Sequence, residues 1–391
     1  MKFSFYGLAK VSARGRGWLL ATFFGISCVA AHAHGLGKLI RDVDALQHRC
    51  MVASQESYDL QTLDEIFPVV IWETPGRNFG SQQLFRPLRT IGQPLAALGT
   101  NCLGGDVRSC GLFSNWVEKL ARNDSLRFDR DKHRISSVSM VTGTLSGNLV
   151  LRPIALYSGL LLDWGLISFK NESAVFEWMK RRVHDYEHAP RVDRTRQAQN
   201  LVLNSAVTQL TVGIATSDKG LAARGGEVYK TYIDTMRVDG SFPQETRRGV
   251  SALKYSNMAI AELVLTAELG STIGMDLYGY RGVNGGIDEA ISFLLAAIED
   301  EHLIKRYAAE NFAPTDRGQF DEGQAMGFLR DGLGWVVPYA VRFPGSNNAL
   351  KIREIVNKRR LPVSVYFDEN VGAYGWCIWG SGRIAPLWGG K

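Results

Sequence analysis

Low-complexity tracts, heptad runs and fixed-period repeats are all missing from this 391-residue sequence. Their absence argues against low-complexity disorder and coiled coils, while a helical solenoid without a fixed-period repeat still fits. What is left is a globular chain, long enough for one large domain or two small ones, and nothing in it reads as an interdomain linker. Acidic residues are missing from the first 33 positions, where Lys2, Lys10, Arg14 and Arg16 are the only charges. Without those four cations the net charge falls from +6 to +2, so the basic balance is in part an N-terminal feature and not a nucleic-acid footprint. The apolar stretch from Trp18 to about Ala31 is short beside the ~20 residues that a membrane span requires. Followed by Ala31-His32-Ala33, it reads as a secretory signal over residues 1–33 rather than an anchor. Gly25-Ile26-Ser27 before Cys28 makes a poor lipidation site. The expectation is a single domain over 34–391, periplasmic or secreted, with no membrane attachment after cleavage and no indication of oligomeric state.

Cysteine is scarce. Four follow the signal, Cys50, Cys102, Cys110 and Cys377. An even number in an exported chain permits disulfides, and four cysteines allow three pairings. Leu103-Gly104-Gly105 lets the chain turn back between Cys102 and Cys110, and Cys50–Cys377 would tie the two ends together. Reduced, buried cysteines are the alternative.

What is abundant is helical periodicity. Apolar spacing predicts helices over 35–48, 112–122, 150–167, 173–188 (capped by Ser173), 197–215, 219–236, 251–269, 287–298, 323–342 and 347–358. The 150–167 stretch is apolar nearly all round and should be buried. Pro68, Pro75, Pro87 and Pro94 break residues 55–100 into loops or short pieces. Beyond Pro362 the tail is rich in glycine and aromatics, including Trp376, Trp379 and Trp388, and suggests a short hairpin. Those tryptophans either stack on sugars or plug one end of the fold. Helices of similar length with short links favour antiparallel neighbours, hence an all-α fold.

One segment carries chemistry. Asp239-Gly240-Ser241-Phe242 is followed by Glu245-Thr246-Arg247-Arg248, then by Leu253 and Tyr255. This resembles the signature of the polysaccharide lyase family 5 alginate lyases. The likeness continues through Ala261–Leu269, through Gly274-Met275-Asp276-Leu277-Tyr278-Gly279-Tyr280 and through Leu303-Ile304-Lys305-Arg306-Tyr307-Ala308. It is strongest over residues 195–312 and extends weakly back to about residue 95. The resemblance implies an α/α toroid, an incomplete α/α barrel with a central cleft, an acidic polysaccharide as partner, and β-elimination of a uronate polymer such as alginate or polymannuronate. That reaction requires neither metal nor organic cofactor.

The chemistry needs a base for the weakly acidic C5 proton, cationic or hydrogen-bonding groups for the adjacent carboxylate, and an acid for the leaving oxygen. By resemblance Tyr255 is base and acid, Arg248 assists it and binds the carboxylate, and Asn200 holds the carboxylate too. Arg248 and Tyr255 are seven apart and on a continuous helix would share a face, where the guanidinium would favour a phenolate. A buried tyrosine beside a solvated arginine is the alternative. The family's Asn-Asn-His run is matched by Gln199–Asn204, with Leu201 in the histidine's place; leucine accepts no proton. Further candidates to bind substrate are Arg194 and Arg196, within a basic cluster that includes Lys180, Arg181, Arg182 and Arg191. Arg77, in a candidate lid over 74–80, and Arg152 join them.

Two other patterns carry less. His184-Asp185-Tyr186-Glu187-His188 fits an inverted zinc-peptidase motif, but Pro190 ends the helix and no third ligand follows. Gly282, Gly285 and Gly286 lack the lysine and serine of a phosphate loop and read as a turn. The alternative to a lyase is a catalytically degenerate polysaccharide-binding protein of exopolysaccharide export or assembly, favoured by Leu201.

Overall fold

The computed structural model describes residues 35–41, 46, 50, 88–127, 137–187, 199–310, 332–359 and 367–380, all within one unit, His32–Lys391. Arg77, Arg194, Arg196, His188 and Trp388 lie outside the described residues.

The described chain is helical, with one two-stranded hairpin. A π-turn over Leu88–Gly92 runs into α1 (Gln93–Leu103), followed by α2 (Val107–Arg122), α3 (Ser137–Asp163), α4 (Glu172–Glu187), α5 (Gln199–Ala215) and α6 (Lys219–Ile233). A short α7 (Pro243–Thr246) precedes α8 (Ala252–Thr272), α9 (Ile287–Glu299), α10 (His302–Ala308), α11 (Val336–Arg342) and α12 (Asn347–Arg359). The tail forms β1 (Phe367–Asp368), antiparallel to β2 (Ala373–Tyr374), and then α13 (Gly375–Trp379). Helices α5 and α8 lie at the centre. α5 packs on α3, α6 and α8, and α8 also packs on α9.

The helix starts follow from side chains that satisfy first-turn amides. Asp106 accepts the Arg108 N–H at 3.1 Å, Asp218 accepts that of Leu221 at 3.0 Å, and Glu289 reaches back to the Gly286 N–H at 2.8 Å. At α4 the cap is Asn171, whose Oδ1 accepts the Ala174 N–H at 3.0 Å; Ser173, the expected cap, already lies inside the helix. Residues 36–39 form a 3-10 turn rather than the start of a longer helix, because Gly35 enters at φ 96° and Asp163 accepts the Gly37 N–H at 2.7 Å. Pro94 opens a helix instead of breaking one, since the missing N–H is an orphan there anyway.

The core is continuous and aromatic. Trp178, Trp335 and Trp379 are fully buried, and burying each such side chain is worth about 2–3 kcal/mol. The stretch Thr144–Asp163 of α3 is apolar and long enough to cross a membrane, yet its most apolar 18-residue window is 89% buried inside the fold, as a central helix should be. Both disulfides that join sequence neighbours and chain ends are formed, Cys102–Cys110 and Cys50–Cys377.

Candidate active site

The Asp-Gly-Ser-Phe-Pro segment is first of all a scaffold. Asp239 accepts the backbone and hydroxyl of Ser241 at 3.0 and 2.7 Å, and Tyr307 and Arg306 donate to its other oxygen at 2.6 and 2.7 Å. Gly240 sits at φ 86°, and a Cβ there would come within 2.3 Å of the Glu289 carbonyl, so only glycine fits. Phe242 packs on Tyr232 with ring centroids 4.5 Å apart, and Pro243 opens α7. This rigid turn delivers Glu245 and Arg248 beneath the start of α8.

Arg248 does not share a continuous helix with Tyr255. Gly249 at φ 52° interrupts it with a 3-10 turn over Gly249–Ser251, and α8 begins only at Ala252. The two side chains meet all the same: the Arg248 guanidinium lies 3.8 Å from the centroid of the Tyr255 ring. Arg248 is 8% exposed and Tyr255 half-buried. A second cation, Lys254 Nζ, is 5.9 Å from the same ring. Such contact stabilises negative charge as it develops on the phenol.

Asn200 reaches this pair through Glu245. The Asn200 N–H donates to Glu245 Oε1 at 2.9 Å, and the Tyr232 hydroxyl donates to the same oxygen at 2.9 Å. Glu245 is wholly buried and feels the Arg248 charge. Burial pushes its carboxyl up to about 7, against the opposing pull of Arg248, Tyr232 and the Asn200 amide. Tyr232 is pushed well above the ordinary tyrosine range by burial and by that carboxylate. Sequence reasoning named Arg248, Tyr255 and Asn200 but gave Glu245 no role; its signal was its place three residues before Arg248.

Arg152 behaves differently from the expectation of a substrate-binding group. It is fully buried and has no surface for a substrate. Its guanidinium donates to the Asn370 carbonyl and, at 3.0 Å, to the Asn204 carbonyl, and lies 3.9 Å from Glu262 Oε1. Glu262 in turn accepts from Asn204 Nδ2 at 2.9 Å. Burial pushes the Glu262 carboxyl up to about 8, with Arg152 and Asn204 opposing. Asp368 of the hairpin accepts the Gly334, Asn370 and Val371 amides and is also raised by burial. A buried polar seam therefore joins α3, α5, α8 and the tail behind the site. Leu201 is half-buried in the first turn of α5, and His184 is exposed on the last turn of α4.

Residues 151–304 match the family model described as alginate lyase. The chain is related to the alginate lyases. It is 30% identical to a polysaccharide lyase of Stenotrophomonas maltophilia over 135 residues, 34% of this chain and 36% of that one. It is 23% identical to an alginate lyase of Pseudomonas aeruginosa over 271 residues, 66% of each. These matches thus span about a third and about two thirds of those relatives' own lengths. Among solved structures, alginate lyase A1-III from Sphingomonas species A1 superposes with TM-score 0.66 at 20% identity, covering 90% of this chain and 97% of that one. An alginate lyase from Bacteroides ovatus gives TM-score 0.57 at 12% identity, covering 89% and 98%. The likeness fixes the fold, an α/α toroid.

Proposed function

We propose that the protein is a polysaccharide lyase that cleaves a uronate-containing polymer by β-elimination, with Tyr255 as both base and acid. The observation that carries this reading is the Arg248 guanidinium stacked 3.8 Å from the Tyr255 ring, inside the segment that matches the alginate lyase model. Arg248 neutralises the substrate carboxylate and Asn200 hydrogen-bonds it, which acidifies the neighbouring C5–H. Tyr255 takes that proton. The C5–H electron pair becomes the C4=C5 double bond, the C4–O bond breaks, and the departing oxygen takes the proton back from Tyr255. A structural relative supports a sugar ligand and attention to a tyrosine: alginate lyase A1-III has been solved with tetrasaccharide in a tyrosine-to-phenylalanine and in a histidine-to-alanine variant.

Leu201 shapes the substrate range. With no proton acceptor there, one group must serve both steps, and one group reaches only one face of the ring. The reading is therefore restricted to syn elimination, from uronates whose C5 hydrogen and C4 oxygen share a face. It extends to a signal over residues 1–33 and a periplasmic or secreted location, supported by the two disulfides. Arg77, Arg194 and Arg196 are assigned to substrate carboxylates by sequence alone. Leu201 also favours a second reading, a degenerate relative that holds an acidic polysaccharide without cutting it.

The test is ultraviolet absorbance of the unsaturated sugar end, with mannuronan, guluronan and glucuronan, beside Tyr255→Phe. A rise with mannuronan that falls at least ~100-fold in the variant is expected. No rise with any polymer, together with binding that Tyr255→Phe leaves intact, selects the second reading.

A further inference from the structure

Glu245 is a buried carboxylate that bonds Asn200 and Tyr232 directly and feels the charge of Arg248. It stands on α7, three residues before Arg248. It takes the Asn200 N–H from α5 and the Tyr232 hydroxyl from α6 on one oxygen. The groups that bear on its charge are Arg248 on its own segment, Tyr232 on α6, the Asn200 amide on α5 and, across the seam, Glu262 on α8. First-turn amides of a helix have no partner within the helix. A carboxylate aimed at them fixes where the helix begins and is favoured by the helix dipole. Here that carboxylate comes from 45 residues away in sequence, so it ties the start of α5 to the segment that carries Arg248.

We propose that Glu245 is the positioning residue of this site, setting the Asn200 side chain and the Arg248 guanidinium in register against Tyr255. It does not touch substrate, because it is wholly buried. It acts through the two groups that do, which rests on the lyase reading above. Asn200 turns with the first turn of α5, and a displacement of about 1 Å there is enough to cost on the order of 100-fold in rate. Ionised Glu245 also supplies the counter-charge that orients Arg248. Since burial holds its carboxyl up to about 7, that counter-charge is lost as the pH falls through neutrality.

Two variants separate position from charge. Glu245→Gln keeps an oxygen that accepts both hydrogen bonds and removes the charge; Glu245→Ala removes both. In amide hydrogen exchange, Glu245→Ala is expected to speed exchange in the 199–204 stretch by at least ~10-fold, while Glu245→Gln leaves it within about 3-fold of wild type. In turnover, Glu245→Ala should lose at least ~100-fold in kcat and Glu245→Gln about 10-fold, with KM changed less than about 3-fold in both. The wild-type kcat should show an acid limb near pH 7 that is absent in Glu245→Gln, which a merely structural residue would not move. Wild-type exchange at Asn200 in Glu245→Ala overturns the proposal, and so does an unchanged acid limb in Glu245→Gln. If the wild-type protein neither cuts nor binds any uronate polymer, the lyase reading fails, and the exchange comparison still decides whether Glu245 sets Asn200.

Discussion

The two disulfides should differ sharply in what they contribute, and the difference can be worked out from their loops. Cys50 and Cys377 are 327 residues apart, whereas Cys102 and Cys110 are 8 apart. In the chain-entropy treatment a cross-link restricts the unfolded state by a term that grows with the logarithm of the loop. At 25 °C this gives about 6 kcal/mol for the long loop and about 2.5 kcal/mol for the short one. The long bridge also holds structure. Cys50 and Cys377 are buried, α13 beside it carries the fully buried Trp379, and the hairpin just before α13 presents the carbonyl that receives Arg152. The assay is denaturant unfolding followed by circular dichroism, with both cysteines of a pair replaced by serine so that no free thiol remains. The long-loop variant is expected to lose about 3 kcal/mol more than the short-loop variant. The double variant should fall short of additivity, because a Cβ on Gly104, in the turn that the short bridge closes, would lie 3.0 Å from the Cys50 carbonyl. Equal losses, or a larger loss for the short loop, would refute the reasoning.

Arg152→Met should cost about 3–5 kcal/mol in urea unfolding, since it leaves the Asn204 and Asn370 carbonyls buried without their donor and Asp368 without its nearby cation. Near-native stability with weakened polymer binding would instead return Arg152 to the substrate side. Thermal stability should fall as the pH rises from about 5 to 8, because the folded protein holds protons on Glu245 and Glu262 up to about 7 and about 8 that the unfolded chain releases near 4.5. Glu262→Gln should flatten that slope in scanning calorimetry; an equal slope in variant and wild type would place the titration elsewhere.

The helix interiors were legible because their apolar spacing is a property of neighbouring residues. The boundaries were not, wherever a distant contact set them. α3 begins at Ser137 and not near Val150, although Val138, Val141, Leu145 and Leu149 carry the apolar spacing back through the stretch. Gly147 permits it by passing under Tyr186, where a Cβ would meet the ring at 2.5 Å. The start of α8 at Ala252 agrees with the helix expected from 251, whereas the positive φ of Gly249 that separates it from Arg248 is a feature that periodicity does not register. The pairing of Cys102 with Cys110 and of Cys50 with Cys377 was one of three options until the fold placed each pair 4.7 Å apart at Cα.

The site divides along the same line. Arg248 and Tyr255 were readable because a local motif holds both, and the structure brings them into contact even though the connecting helix is broken. Arg152 was misjudged because one charge on an apolar helix looks like a cleft residue until Asn204, 52 residues away, and Asn370, 218 away, close around it. Glu245 stood in plain view within the motif, but its partners lie 45 residues back on α5 and 13 back on α6. The residues that meet substrate in the proposed reaction are thus legible from the local motif, while those that hold them in place act across the fold. This bears on Leu201. Leu201 brings no proton acceptor to the first turn of α5, whereas behind it Glu245 holds Asn200 and Tyr232, and Arg152 lies 3.9 Å from Glu262. The mannuronan assay with Tyr255→Phe decides between turnover at Tyr255 and binding alone.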